Sequence, residues 1–295
     1  MRILITGGTG LIGQKLCRLL HENQHQITVL SRYPESVPKK CGAMVKAISS
    51  LDDWLPDMTF DVVINLAGEP IADKAWSAKR RQVLFDSRVA LTEKLVDKIA
   101  CAHVKPALFL SGSAVGYYGH RYDEGLDELS VAGQGFAADL CIAWEKAALQ
   151  AQGLRVCLLR TGLVLSPDGG ILAKMRLPLG IGVSFGSGMQ WISWIHIDDY
   201  TQLILRLIDD EKISGPVNMT APNPVRNKDF SRSLVNAQHG LISLPIPSAL
   251  LKFTLGERDS LLIEGQRVLP NKVLSQGYSF CYPDLASTLS NLLHT

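Results

Sequence analysis

Apolar residues in the first half of the chain fall into two alternating patterns, short unbroken runs and longer stretches that repeat every three to four residues. Ile3-Leu4-Ile5 is a run without a polar break, as in a buried strand, and Leu16, Cys17, Leu19 and Leu20 follow it at helical spacing. Residues 26–30 read as a second strand ending in Ser31-Arg32, and 61–68 as a buried strand that leaves through a glycine. A helix is predicted over 87–100, with Val89, Leu91, Leu95, Val96 and Ile99 on its apolar face. A strand at 107–111, a helix at 140–150 and a strand at 155–160 continue the alternation. This βαβ order predicts an α/β fold, a Rossmann-type doubly wound parallel sheet with helices on both faces. Ligands of such sheets sit at the carboxyl ends of the strands.

The pattern changes after Ser166. Glycine and proline are dense through Gly188, then come residues 191–194, a helix at 198–209 and a short strand at 217–218. From Leu244 a segment bounded by Pro245 and Pro247 carries helical runs and a final helix at 285–293. The expected organisation is a main domain over 1–165, to which later segments can return, a substrate-side region over 166–243 and a C-terminal cap over 244–295. No internal repeat or low-complexity linker divides the chain.

Composition narrows the partners. The 295 residues are 46% hydrophobic, enough for a large core, and 30 basic against 28 acidic residues leave a formal charge of +2. With no basic block or acidic tail, the balance argues against nucleic acid and toward a small-molecule ligand. The six cysteines form no C-x-x-C pair and read as reduced thiols. With no signal peptide before the first strand and no apolar run of membrane-spanning length, a soluble cytoplasmic protein is expected.

Chemistry concentrates where the first strand meets the first helix. Gly7, Gly10 and Gly13 fall at that junction, with Thr9, Leu11 and Ile12 between them. Glycine there lets backbone approach a pyrophosphate closely, and the free N–H groups and dipole of the new helix bind the anion. The string alone is a weak signal, but its place between a strand and an amphipathic helix makes it a dinucleotide fingerprint.

Four phrases extend that fingerprint: Thr6-Gly-Gly-Thr-Gly-Leu-Ile-Gly13, Asn65-Leu-Ala-Gly68, Ser111-Gly-Ser-Ala-Val-Gly-Tyr-Tyr-Gly119 and Arg160-Thr-Gly-Leu-Val-Leu165. With them the chain resembles the extended short-chain dehydrogenase/reductase superfamily. More narrowly it resembles the nucleoside-diphosphate-sugar-epimerase-like branch of that superfamily with a family-specific C-terminal domain. That resemblance rests on Glu69-Pro70-Ile71, Trp144-Glu145, the run from Gly186 through Trp191 and Trp194 to Asp199, and a tail containing Leu255-Gly-Glu257 and Gln266 to Pro270.

The fingerprint and the resemblance imply NADP(H). Arg32 lies just past the second strand, where NAD-binding proteins place an acid for the adenosine ribose; an arginine there pairs with a 2′-phosphate, the alternative being a solvated surface residue. Leu66, Ala67 and Gly68 are expected against the ribose and pyrophosphate. Arg80, Arg88 and Arg160 are candidates for an anionic substrate or the cofactor phosphates, and Arg160 is counted among the cofactor ligands. The alternative for each is a surface ion pair.

The catalytic machinery implied by the resemblance is incomplete. Ser113 stands at the substrate-polarising serine, where its hydroxyl can donate to a carbonyl; a turn-satisfying serine is the alternative. The Tyr-x-x-x-Lys pair of the superfamily's reductases is missing, since none of the seven tyrosines has lysine at the fourth following position. Glu145 in the lysine place sets Cys141 in the tyrosine place, and Lys146 sets Ile142 there. Tyr117 and Tyr118, near Ser113 in sequence, are the substitute candidates for proton transfer, with Glu145 and Lys146 less well placed. Trp191 and Trp194 are a ligand stack or core, and His196 is read as a structural histidine rather than a base. His21-Glu-Asn-Gln-His25 spells H-E-x-x-H, but it ends the first crossover helix on the side away from the ligand edge, and no metal site is assigned. The leading reading is an oxidoreductase or epimerase-like enzyme passing hydride between nicotinamide and a small polar substrate. The alternative is a catalytically decayed NADP(H)-binding sensor or interaction protein.

Overall fold

The computed structural model describes residues 1–175, 180–255 and 259–294; Gly256 and Glu257 of the tail phrase lie outside them. Seven strands form the main sheet: β1 (Arg2–Thr6), β2 (Gln26–Leu30), β3 (Lys46–Ile48), β4 (Val62–Asn65), β5 (Leu108–Ala114), β6 (Arg155–Thr161) and β7 (Gly215–Met219). All pair in parallel, in the order 7-6-5-4-1-2-3. Direction of winding reverses between β1 and β4, the topological switch point at which such sheets open a ligand crevice.

The doubly wound parallel sheet is the architecture that the alternation predicts. Its central strands are buried on both faces, so Ile3, Leu4, Ile5, Val63 and Ile64 are fully enclosed. Ile3, Ile5, Leu16, Leu20, Tyr200, Leu203 and Leu207 form one core, under the helices Leu11–Glu22 and Ile197–Asp209. Leu4, Val63, Leu95, Ile99 and Phe109 form the other, under the helix Leu91–Cys101.

Three boundaries differ from the sequence reading. Strand β5 runs on to Ala114, because its last residues pair with β6 through Ser113 and Ala114. The helix read as beginning at 140 begins four residues earlier, as Phe136–Ala148. The helix predicted over 87–100 is continuous from a wide π-helical turn, Asp86–Ala90, that also joins it to Ala78–Phe85.

Later segments return to the main sheet. Strand β7 adds its edge beside β6, and the helix before it covers one face. The remainder gathers around a separate core of Trp194, Phe230, Leu234, Leu285, Leu289 and Leu292. The tail is stitched to the earlier chain: Asp199 accepts from the backbone N–H groups of Cys281 and Tyr282 at 2.9 Å each, and Asn218 Nδ2 donates to the Leu269 carbonyl at 2.9 Å. Among the described residues no helix is long and apolar enough to cross a membrane.

Candidate functional site

The turn after β1 is shaped by what its glycines exclude. Gly7 has φ +72°, in the left-handed region, and a Cβ there would stand 2.6 Å from the carbonyl carbon of Leu66. A Cβ on Gly13 would stand 2.3 Å from the Gly7 carbonyl oxygen, so this glycine lets the helix sit against the turn. At Gly10 a Cβ would meet only that same oxygen, at 3.2 Å; the residue is exposed and begins the helix with no side-chain cap. The first helical N–H groups are therefore left open toward an incoming anion.

A cleft of ≈ 1080 Å³ opens along the carboxyl ends of the strands at this point. Gly7, Thr9, Gly10, Arg32, Leu66, Ala67 and Gly68 all line it. Leu11, Ile12 and Gly13 lie behind that lining, in the first turn of the helix. Sequence reasoning missed several walls: Ser49, Ser50 and Leu51 after β3, Glu69 after β4, and Lys94 and Lys98 on the helix Leu91–Cys101. Strand β3 has three residues and no apolar run, so the turn after it left no pattern to read.

Arg32 is exposed at the cleft mouth and pairs with Glu69 Oε1 at 3.3 Å. Arg80 and Arg88 serve the loop after Gly68. Arg80 donates to Glu69 Oε2 at 3.3 Å and to the Pro70 carbonyl at 2.6 Å, and Arg88 to the Glu69 carbonyl at 2.9 Å. Burial lowers the pKa of Arg88.

Arg160 is corrected. It does not line the cleft; its side chain is 3% exposed and forms a two-pronged pair with Glu145, Nε to Oε1 at 2.8 Å and Nη2 to Oε2 at 2.9 Å. Burial works against the charged guanidinium, but the hydrogen bonds and charge of Glu145 outweigh it and hold Arg160 above its ordinary pKa.

The same network decides the candidate catalytic groups. Ser113, on β5, donates to Glu145 Oε1 at 2.6 Å, so the hydroxyl expected to donate to a substrate carbonyl has its proton directed into the protein. Tyr118 is fully buried; its hydroxyl donates to Asn218 Oδ1 at 2.7 Å and accepts from Arg160 at 2.9 Å. Burial pushes it up to about 12. With the side chain fully buried and its hydroxyl both donating and accepting inside the protein, Tyr118 is held as a structural tyrosine. Tyr117 is half-buried, and the Arg160 guanidinium lies 3.6 Å from its ring centroid. Cys141, which takes the tyrosine place only in the register that sets Glu145 in the lysine place, is buried, and its thiol is pushed up to about 11 by burial and then by the charge of Glu145. Lys146 is exposed on the outer side of its helix.

Trp194 belongs to the core it shares with Phe230 and Leu234, with Nε1 donating to the Asn223 carbonyl at 3.0 Å. Trp191 is half-buried and donates to Asp123 at 2.9 Å, with Arg226 4.0 Å from its ring. His196 is structural: Nδ1 accepts from the Asp198 N–H at 3.0 Å, Nε2 faces Asn291 Oδ1 at 3.2 Å, and the ring stacks on Tyr282 at 3.8 Å. His25 lies beyond the helix that ends at Glu22, so the two histidines of H-E-x-x-H do not share a helical face.

Residues 3–219 match the model of the NAD dependent epimerase/dehydratase family, and 246–292 match a domain of unknown function, DUF1731. An epimerase family protein of Staphylococcus aureus (strain MRSA252) is 37% identical over 299 residues, covering 98% of each chain. Epimerase family protein YfhF of Bacillus subtilis (strain 168) is 36% identical over 301 residues, covering 99% of this chain and 98% of the relative. Among solved structures, human epimerase family protein SDR39U1 (isoform 2), crystallised with NADPH, superposes with a TM-score of 0.91 at 31% identity over 100% of both chains.

Proposed function

The chain belongs to the NAD dependent epimerase/dehydratase family, and on that premise we propose that it is an NADP(H)-binding oxidoreductase or epimerase-like enzyme acting on a small polar substrate. The observation that carries the cofactor reading is the glycine turn. Its inner face is closed to any side chain, and its outer face opens helical N–H groups into a cleft that Arg32 flanks. Those donors suit a pyrophosphate, and an exposed guanidinium just past β2 suits a 2′-phosphate. The human relative crystallised with NADPH supports the same choice. Leu66, Ala67 and Gly68 would hold the adenosine side. When bound, the nicotinamide supplies or takes up a hydride. The six cysteines, all free thiols, suit a reducing compartment, and we place the protein in the cytoplasm.

For proton transfer the chain offers Ser113 and Tyr117. Ser113 directs its O–H at Glu145, so its oxygen presents lone pairs and suits accepting from a substrate hydroxyl; the Tyr117 phenol is the remaining donor. Tyr118 takes no part in this. The second reading, a sensor without turnover, is favoured by one observation: the Ser113 hydroxyl and the Arg160 guanidinium are both taken up by the buried Glu145 carboxylate.

Fluorescence titration tests the cofactor assignment. NADPH is expected to bind about 30-fold tighter than NADH, the equivalent of ~2 kcal/mol for a charge-assisted hydrogen bond, and Arg32→Ala to remove that preference. Equal affinities in the wild type would sink it. A panel of carbonyls and sugar nucleotides separates the two readings. In an enzyme, Ser113→Ala and Tyr117→Phe each lower turnover roughly 10²–10⁴-fold while NADPH still binds. No turnover with NADPH binding intact establishes the sensor.

A further inference from the structure

The acid that NAD-binding proteins carry just past the second strand is replaced here by Arg32, but a carboxylate faces the same place from the other wall of the cleft. Glu69 follows Gly68 at the end of β4 and lines the cleft with Arg32. Its backbone is fixed from both sides: the N–H donates to Ser87 Oγ at 3.2 Å, and the carbonyl accepts from Arg88 Nη2 at 2.9 Å. Its carboxylate is anchored by Oε2 to Arg80, whose side chain is 9% exposed, at 3.3 Å. That leaves Oε1 directed at Arg32, also at 3.3 Å. A residue whose backbone is fixed at both ends and whose carboxylate is held by two arginines is a built feature of this cleft.

We propose that Glu69 is a specificity-determining residue of the dinucleotide site: its Oε1 accepts the adenosine 2′-hydroxyl of NADH and opposes the 2′-phosphate of NADPH by occupying Arg32. This rests on the reading of the cleft as a dinucleotide site with Arg32 at the 2′-position. The chemistry follows from charge. A hydroxyl donates to a carboxylate, whereas a phosphate dianion must displace Glu69 from Arg32 and then lie beside it. Arg80 keeps the carboxylate in place during that exchange, so the acid does not swing clear. Arg32 is 83% exposed, and its half of the interaction is therefore screened by salt. The site then accepts both nucleotides, with a preference set by the competition between Arg32 and Glu69.

The test is a titration of NADPH and NADH against the wild type, Glu69→Gln and Arg32→Ala at low and high salt. Glutamine keeps an oxygen for Arg80 and removes the charge. Glu69→Gln is expected to weaken NADH about 3- to 10-fold and to tighten NADPH about 2- to 5-fold at low salt, the NADPH gain shrinking at high salt. Glu69→Asp, which keeps the charge but draws it back from Arg32, is expected to fall between the two. An NADPH-to-NADH affinity ratio within twofold of the wild type in Glu69→Gln, or both affinities moving in one direction, overturns the proposal. Failure of the underlying reading looks different. If Arg32→Ala leaves NADPH binding untouched while Glu69→Gln weakens NADH, Arg32 is not the phosphate ligand and Glu69 still reads the ribose. If neither nucleotide saturates the wild type, both fail together.

Discussion

Removing the Glu145 carboxylate is the sharpest perturbation that the packing allows. It takes part in an ion pair whose side chains are 7% and 3% exposed, and it accepts from Ser113 Oγ, Arg160 Nε and Arg160 Nη2. In Glu145→Ala the guanidinium stays buried, keeping Tyr118 and a long contact with the Glu128 carbonyl as oxygen partners. Coulomb attraction between charge centres ~4 Å apart is about 4 kcal/mol at an effective dielectric constant near 20, and desolvation offsets part of it when the pair forms. Once the pair exists, however, removing one partner leaves the other's desolvation uncompensated, at a cost of about 3–5 kcal/mol. At roughly 2–4 °C per kcal/mol, the midpoint of thermal unfolding should fall by roughly 6–20 °C. Circular dichroism melts measure it. A Glu145→Leu/Arg160→Met double variant, which removes both charges, is expected to recover at least half of the loss. A single variant melting within about 2 °C of the wild type, or a double variant no better than the single, would refute the reasoning.

Two further outcomes follow from His196 and the tail. Burial lowers the His196 pKa below its unfolded value of about 6.5, so the unfolded chain binds this proton first as pH falls. Its stabilising contribution is full above about pH 6.5 and is lost toward the lower folded-state value. Melting temperatures from pH 7.5 to 5 should fall more steeply in the wild type than in His196→Asn, and parallel curves would remove the role. Leu289 is fully buried against Phe230 and Leu234, so Leu289→Ala should cost about 2–5 kcal/mol in denaturant unfolding. A loss below about 1 kcal/mol would show that the final helix is not part of that core.

What could be read in advance follows from how local each signal is. The buried strands and the helix after β1 were legible because an unbroken Ile3-Leu4-Ile5 run and a 3.6-residue stripe are properties of neighbouring residues. The glycine turn was legible because its spacing sits between those two elements. The environment of Ser113 was not. Glu145 lies 32 residues away and Asn218 lies 100 residues from Tyr118, and only the sheet order brings them together. For the same reason Arg160, at the end of a strand beside the ligand edge, could not be told from a phosphate ligand until its carboxylate partner was seen. Nor could Tyr117 be separated from Tyr118: adjacent residues share every sequence argument, but the chain buries Tyr118 fully, its hydroxyl between Asn218 and Arg160, and leaves Tyr117 half-buried. Glu69 was visible only as part of a phrase, because its meaning depends on the residue across the cleft.

A crystal structure of the protein grown with NADPH tests the central claim most directly. The pyrophosphate is expected against the Gly7–Gly13 turn, with the adenosine 2′-phosphate beside Arg32 and the ribose near Leu66 and Ala67. A nucleotide bound away from that turn, or a cleft without density for it at saturating NADPH, would contradict the account.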